Sequence, residues 1–541
     1  MNRNIIIFLL LSILAGALYV GTIHYPFQFD DEHVIQNNEL LDNSANILRF
    51  FTKAGMEGGN DERLGSYRPF LFASYAFNYL ASGPDPAAYR LTDIFLHILN
   101  GFLLFLIIHL ILKGVRDPWP WSLIAACIFV VHPVQTEAVI YISARSVVLL
   151  TSLCLASLFF YLKYRENGKA FWLFASASFF GFALLTKESS LPFLFILILI
   201  ELAVSTRQDI PQKGFSWKAI SAFIAITTAY LPLRWFFIIK AQTPGIDTDL
   251  LNHWTVSISV LPRYILMAVL PAGLSVDHAP PAFQGLGNIY FILGVLIAAA
   301  AVATTALLYR KDRLLAALFA WPFLASLVEA IFPVTDKFVE YRLYLPMAGA
   351  AAFIATLLSG RWFHLSPKMA KPLFIAGLAT IVIMSAASFE RSRVWASQIT
   401  LWQDAIEKDP LNPRPYNNLG SYLINQGDDL AATVYLERAL KLNPGYTYAY
   451  ANLGNAYYNM ARFPEAIKNY KRALQLNPRH FQVNYNLAVI YLKLGRTKDA
   501  VNICLNMIRI FPERKDAPEI AASLFDDYGL PSLAKEFRKM E

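Results

Sequence analysis

Charge is scarce in this sequence. Of 541 residues only 16% are Asp, Glu, Lys or Arg, against 56% hydrophobic, with 40 Phe and 27 Tyr among them. Soluble domains carry closer to a quarter charged residues, so an ordinary water-soluble fold is excluded. Cysteine is scarcer still. Cys127, Cys154 and Cys504 stand far apart, with no spacing for zinc and no pair that requires a disulfide. No glycine-rich phosphate loop or nucleotide-sugar signature is present, which sets nucleotide-handling classes aside. The net charge of +8 is spread through short loops between apolar runs; it reads as a membrane pattern, not a nucleic-acid footprint.

What the chain has in quantity is long apolar runs. A span needs roughly 20 apolar residues. Runs near 5–22, 93–112, 121–139, 147–163, 170–186, 190–204, 219–238, 288–309, 314–332, 343–359 and 372–388 are read as about eleven spans. The first has only Arg3 ahead of it and no small-residue cleavage site behind it, so it reads as a retained span. Basic loops carry Lys113 and Arg116; Lys163, Arg165 and Lys169; Arg207, Lys213 and Lys218; Arg310, Lys311 and Arg313; and Arg361, Lys368 and Lys371. Each follows an even-numbered span and so shares a side with Arg3, the cytoplasmic side by the positive-inside rule. That parity requires that Val256 to Leu274, interrupted at Leu261-Pro262-Arg263, does not cross. It is expected to be re-entrant or interfacial.

The same count puts the other polar clusters on the opposite face. FQFDDEHVIQNN brings Asp30, Asp31 and Glu32 within a few residues of the first span. SYRPF adds Arg68, HPVQTEAVIYISARS adds His132, Glu137 and Arg145, and TKESS adds Lys187 and Glu188. LSVDH supplies Asp277 and His278, and TDKFVEYRLYLP supplies Glu340 and Arg342. Ionisable groups beside a bilayer are costly and mark function by default, the bland alternative being helix ends capped in water. His97 and Asn100 share one helical face and read as interhelical hydrogen bonding.

From Trp402 onward the pattern changes to helices with polar turns. Pro410, Pro444, Pro478 and Pro512 recur every 34 residues, and NLG, NLG and NLA at 418, 452 and 486 keep the step, as do Ala432, Ala466 and Ala500. This is the tetratricopeptide period, in which each helix pair buries its apolar face on the next. The concave side is expected to carry Asn418, Asn452, Asn486 and Tyr457, suited to gripping an extended peptide; a pure scaffold is the alternative.

Taken together, FDDEHVIQNN, SYRPF…YAFNYLASGPDPAAYRLTDIFLHILN, HPVQTEAVIYISARS, TKESS, PLRWF, LSVDH, VEYRLYLPMAG and RVWASQITLWQDAIEKDPLNPRPYNNLG occur in an order that resembles the transmembrane-and-tetratricopeptide O-mannosyltransferases. The likeness covers nearly the whole chain. It implies an all-α protein: a GT-C membrane domain at 1–395, with its first extracytoplasmic loop at 23–92, then a repeat solenoid at 396–541. It further implies transfer of mannose or another hexose from a polyprenyl-phosphate donor to Ser or Thr of a protein acceptor held by the repeats. Compact size and few cysteines suggest a bacterial member, in the inner membrane with site and repeats in the periplasm.

The residues suit that chemistry. Moving a sugar from a lipid phosphate to a hydroxyl needs a base for the incoming proton and positive charge for the departing phosphate. Adjacent acids in an extended segment point opposite ways, so one of Asp30 and Asp31 is the base, Asp31 being favoured. The other orients it or binds a divalent metal, Mg or Mn; no further cofactor is implied. Arg68, Arg145, Lys187 and Arg342 are the candidates for the phosphate. Glu137 is a candidate to orient Arg145 or the acceptor hydroxyl, with Glu188 and Glu340 as weaker versions. Asp277 and His278 line the lipid groove in this reading, Glu32 joins the acids, and His132 before a proline caps a helix.

Two other classes compete. A non-catalytic scaffold recruiting envelope proteins leaves the paired acids unexplained, and a glycan or lipid acceptor is the nearer alternative. A transporter is disfavoured because the acids lie at one surface. The span parity makes a direct prediction: a reporter fused after Met540 should be active only outside the cytoplasm. Cytoplasmic activity would mean that Val256 to Leu274 crosses.

Overall fold

The computed structural model describes residues 3–52, 67–115, 117–207, 214–240, 250–279, 287–332, 338–359, 367–512 and 514–540, without the side chains of 238–240 and 367–370. Among the expected features, Ser66, Arg116, Lys213, Thr335 to Lys337, Arg361 and the side chain of Lys368 lie outside the described residues. Helices and turns account for all regular structure among the described residues. The chain divides into two compact units, residues 1–397 and 398–541.

Among the described residues, seven helices of the first unit are long and apolar enough to cross a membrane: Arg3–Thr22, Pro86–Ile111, Ile142–Asn167, Trp217–Phe237, Ile289–Lys311, Glu340–Leu358 and Lys371–Val394. An eighth is counted if the bent pair Trp119–Val131 and Pro133–Ile140 is one span. The remaining apolar runs are helical but short, Ala170–Thr186, Phe193–Val204 and Arg313–Ala325, the last continued by Leu327–Ile331. The difference from about eleven is thus one of helix length, not of place. The 50° bend at 132–133 has a local cause: Pro133 forces His132 out of the helical region, to φ −71°, ψ 127°.

Burial sorts these helices. Ile142–Asn167 is the central one, with 83% of its apolar window covered, while Ile289–Lys311 and Lys371–Val394 have only 6% covered and present their apolar surface outward, as lipid requires. Leaving the first span, the chain packs Phe27, Ile35, Leu41 and Phe50 against Leu71, Phe72, Tyr75, Tyr89 and Ile142, a small core that seats the acidic stretch.

Val256 to Leu274 is not among the helices long and apolar enough to cross, but the expected interruption at Pro262 is absent. Leu250–Val269 is one helix that runs through Pro262, with His253, Thr255, Val256, Ser259, Val260 and Met267 buried on one side. Proline has no N–H, so the Ile258 carbonyl one turn earlier has no helical donor. Gly294 on Ile289–Lys311 lies against that oxygen, where a Cβ would come to 2.1 Å. Helix continuity is thus kept by a neighbouring helix that comes close at its one glycine contact.

In the second unit, Pro413–Asn425 with Asp429–Leu442, Thr447–Asn459 with Phe463–Leu476, and Phe481–Lys493 with Thr497–Ile510 form successive helix pairs, preceded by Gln398–Lys408 and followed by Ala517–Asp527 and Pro531–Arg538. Ala432, Ala466 and Ala500 are fully buried where paired helices meet, and a Cβ at Gly420 or Gly454 would press on Leu436 or Tyr470. The 34-residue period is read out as packing.

The proline–glycine contact can be tested. Gly294→Ala should lower the thermal midpoint of the detergent-solubilised protein, since overpacking costs about 1–3 kcal/mol. Gly287→Ala, whose Cβ would meet nothing within 4 Å, should leave it unchanged. Equal midpoints would show that the helices can part freely.

Candidate functional site

The acidic stretch is irregular backbone at the end of a span, and its carbonyls need donors. Arg90 supplies them. Its Nε donates to Ile140 O at 3.1 Å, Nη2 to Pro26 O at 2.7 Å, and Nη1 to Ile23 O at 3.4 Å and to Tyr25 O. Asp31 is fully buried: one oxygen accepts from the Ser143 N–H at 2.7 Å and hydroxyl at 2.6 Å, the other from the Gln28 N–H at 3.2 Å. Burial pushes its pKa up to about 6 against the opposing effect of the Ser143 hydroxyl and the Arg90 charge. Asp30 is half-buried beside the Tyr141 hydroxyl. Phe29 before it sits at φ +51°, a left-handed conformation that a bulky side chain adopts only when held. Glu32, half-buried, opens the short π-helical turn Glu32–Gln36.

A second cluster is rich in cations. Arg68 Nη2 lies 3.0 Å from Glu188 Oε1, and Arg234 Nη1 3.1 Å from Glu188 Oε2 and 3.2 Å from the Tyr230 hydroxyl. Although burial opposes it, the guanidiniums of Arg68 and Arg234 hold Glu188 well below the usual carboxylate range. Lys187 is buried with its Nζ 5.2 Å above the Tyr341 ring; burial first, then the Arg68 charge, brings its pKa down to about 8. Arg342 acts on Lys187 and lies near Tyr264 and Glu329, and Glu329 accepts from the Ser189 hydroxyl. Four cations, Arg68, Lys187, Arg234 and Arg342, face two carboxylates, Glu188 and Glu329. Such an excess suits an anion.

Glu340, Tyr341 and Arg342 share the turn Glu340–Leu343. Glu340 Oε1 accepts from the Ser275 N–H at 2.5 Å and from His278 Nε2 at 2.7 Å, and Arg391 Nη2 stands 3.9 Å from Oε2. The Tyr341 N–H donates to Glu137 Oε2 at 3.0 Å, and Glu340 and Arg391 both act electrostatically on Glu137. Asp277, buried, exchanges hydrogen bonds with Ser275 through its backbone. Tyr341 therefore stands between the groups: its ring is under Lys187, its N–H is on Glu137, and it lies close enough to act on Tyr141.

Several expectations change. Arg145 is committed elsewhere: fully buried, it gives Nε to Asp93 at 2.6 Å, Nη1 to Asn78 and Ser74, and Nη2 to Tyr89 O, between the rings of Tyr75 and Tyr89. With every nitrogen engaged it does not serve a phosphate, nor does Glu137 orient it. Asp31, favoured as the base, is closed off by burial and three donors; a metal on it would have to displace them. Among the described residues no group of three or more His, Cys, Asp or Glu is placed to hold a metal ion. His132 caps, as read, accepting from the Val134 N–H at 3.3 Å. His97 and Asn100 both bond the Tyr344 hydroxyl, an interhelical tie.

The repeat asparagines are half-buried and bonded to one another. Asn452 donates to Asn417 at 3.0 Å and Asn417 to Asn418 at 3.2 Å, while Asn486 donates to Asn455 at 3.0 Å and accepts from Gln482 at 2.9 Å. Tyr457 points its hydroxyl at Glu437, 3.4 Å away, under Arg462. The ladder joins one repeat to the next before it meets any peptide. Arg90, Arg234, Gln28, Ser143, Tyr341 and Arg391 were not singled out from the sequence. Arg234 lay in the PLRWF stretch as a cation ending an apolar run, which is the signal that marks it.

This is a multi-pass helical membrane protein with an acid loop and a cation-rich cluster in its membrane unit, joined to a tetratricopeptide-like helical array. Its homologues are the transmembrane-and-tetratricopeptide protein O-mannosyltransferases. It is 24% identical over 82% of its length to protein O-mannosyl-transferase F38B6.6 of Caenorhabditis elegans, 25% over 82% to Tmtc3 of Drosophila melanogaster, and 22% over 79% to human TMTC3. The chain spans 63, 55 and 50% of the lengths of these three relatives. Residues 403–525 match the family model described as the tetratricopeptide repeat protein 21 C-terminal ARM domain. A solved oligosaccharyltransferase of Archaeoglobus fulgidus, 13% identical, aligns over 74% of this chain and 56% of its own at a TM-score of 0.41, too low to define the fold.

Lys187 gives the cation cluster a pH signature. Its charge is lost as pH rises through about 8, so binding of a fluorescent polyprenyl phosphodiester, itself unchanged in charge, should weaken by up to roughly tenfold from pH 7 to 9. Lys187→Arg should bind evenly across that range. Flat binding by the unaltered protein would remove Lys187 from the anion contact.

Proposed function

We propose that this protein is a GT-C-type glycosyltransferase that moves a hexose, mannose in the first instance, from a polyprenyl-phosphate carrier to a Ser or Thr hydroxyl of a protein acceptor. Catalysis is assigned to residues 1–395 and presentation of the acceptor to residues 396–541. The site faces the extracytoplasmic side, with the N-terminus in the cytoplasm.

The observation that carries this reading is the half-buried Asp30 on a tightly held loop beside Tyr141, with Tyr341 close to Tyr141 and under Lys187 of the cation cluster. In the proposed reaction the acceptor oxygen attacks the anomeric carbon while Asp30 takes its proton. The bond from that carbon to the phosphate oxygen breaks, and the electron pair leaves with the lipid phosphate, which gains a second negative charge. Arg68, Lys187, Arg234 and Arg342 meet that charge where it develops. A single displacement of this kind inverts the anomeric carbon. Asp31 holds the loop and is not the base, because an acceptor hydroxyl has no path to a carboxylate with no exposed surface. The names of the relatives support mannose and a protein acceptor.

Purified protein incubated with labelled polyprenyl-phosphate sugars and periplasmic extract should label a protein band. Asp30→Asn should lower that turnover by roughly 100-fold or more, as loss of a general base does, while polyprenyl phosphodiester binding stays within about twofold, since the phosphate is held by other loops. Near-normal turnover of Asp30→Asn in folded protein would rule out Asp30, and an Asp30/Asp31 double alanine variant with full biological effect would favour the scaffold reading.

A further inference from the structure

Trp395 lies just beyond the last span, Lys371–Val394, and three residues before Gln398, where the first helix of the second unit begins. Sequence reading placed it only in the lead-in to the repeats. In the fold it is fully buried against the acid loop. The Gln28 side-chain amide donates to the Trp395 carbonyl at 3.1 Å, across 367 residues of sequence. The same Gln28, itself fully buried, gives its backbone N–H to Asp31. The Trp395 ring stacks on Tyr141 with centroids 5.7 Å apart and planes 27° apart, and the ring of Phe29 also lies against Tyr141, at 6.4 Å.

Phe29 and Asp30 are therefore gripped from both sides. Gln28, immediately before them, is tied to Trp395; Asp31, immediately after, is tied to Ser143; and Tyr141, beside Asp30, is braced by Trp395. The left-handed Phe29 between these ties is a conformation that persists only where its surroundings over-determine it. Free the Gln28 end and the backbone at 29 relaxes toward negative φ, which swings Asp30 away from the acceptor.

We propose that Gln28 and Trp395 are positioning residues for sugar transfer, acting on Asp30 through the strained turn at Phe29. This inference rests on the assignment of Asp30 as the base. Neither residue touches the substrate, so their loss should appear in turnover and not in donor capture, because misplacing a base by about 1 Å costs on the order of 100-fold in rate.

The test measures kcat and KM for sugar transfer together with phosphodiester binding and the thermal midpoint. Gln28→Met keeps the length of the side chain and removes the donor; it should lower kcat by roughly 10- to 100-fold with donor KM and probe binding within about twofold. Trp395→Ala keeps the carbonyl that Gln28 bonds but removes the ring that braces Tyr141 against Phe29, and should do the same. Trp395→Phe, which keeps a stacking ring, should restore most of the rate, and the double variant should lose little beyond either single change, since both ties converge on Phe29 and Asp30. If Trp395→Ala does not fold, Gln28→Met decides. Full turnover in Gln28→Met overturns the inference, as does a fall in kcat matched by an equal fall in probe binding, which would be general damage. Asp30→Asn measured alongside separates the two failures: an active Asp30→Asn removes the underlying assignment, whereas an inactive one beside a fully active Gln28→Met removes only the positioning pair.

Discussion

Arg90 makes the irregular part of this membrane unit affordable. Backbone that leaves a helix close to a bilayer carries carbonyls with no partner, each costing several kcal/mol if left in an apolar surrounding. One fully buried guanidinium answers four of them, from Ile23, Tyr25 and Pro26 on the way out of the first span and from Ile140 where a later helix ends. The two segments so joined are those that bear the acids and their partners, Tyr141 and Ser143. Arg90 thereby ties together the two segments on which Asp30, Asp31 and Tyr141 sit, with a planar fork of five donors that no lysine could reproduce.

The site is organised by unequal neutralisation. Where cations are balanced, as in Arg145 with Asp93 or Arg165 with Glu201, the pairs are buried and act as structural ties. Where Arg68 and Arg234 share the single carboxylate of Glu188, with Lys187 and Arg342 close by, positive charge is left over. Glu137 and Glu340 lie together near one Arg391, with His278 also on Glu340. Tyr341 lies between that carboxylate pair and the cations, its N–H on Glu137 and its ring under Lys187.

Much of the fold was legible in the sequence because its signals are local. Apolar run length located each membrane helix, and the recurrence of Pro410, Pro444 and Pro478 located the repeats. Both depend only on residues near in sequence. Which of two adjacent acids is buried was not legible, since that is decided by Ser143, more than a hundred residues later. Arg145 misled for the same reason: beside an apolar run, a phosphate ligand and a structural arginine look alike until Asp93 and Asn78 are found against it. Pro262 was read as an interruption because its local rule is strong, but the rule is offset by Gly294 on another helix, which no window along the chain contains.

The buried pair of Asp93 and Arg145 also bears on how the protein is made. Asp93 lies in the Pro86–Ile111 helix and Arg145 in Ile142–Asn167. Delivered singly into lipid, each helix would carry an unpaired charge near its outer end, where the cost is below the mid-membrane value of about 2.5–3.5 kcal/mol. Together they neutralise one another, with the Trp119–Val131 helix between them in synthesis. The tie therefore closes only after the later helix has been made, and the acid loop, which precedes both helices in the chain, meets its partners Tyr141 and Ser143 no earlier.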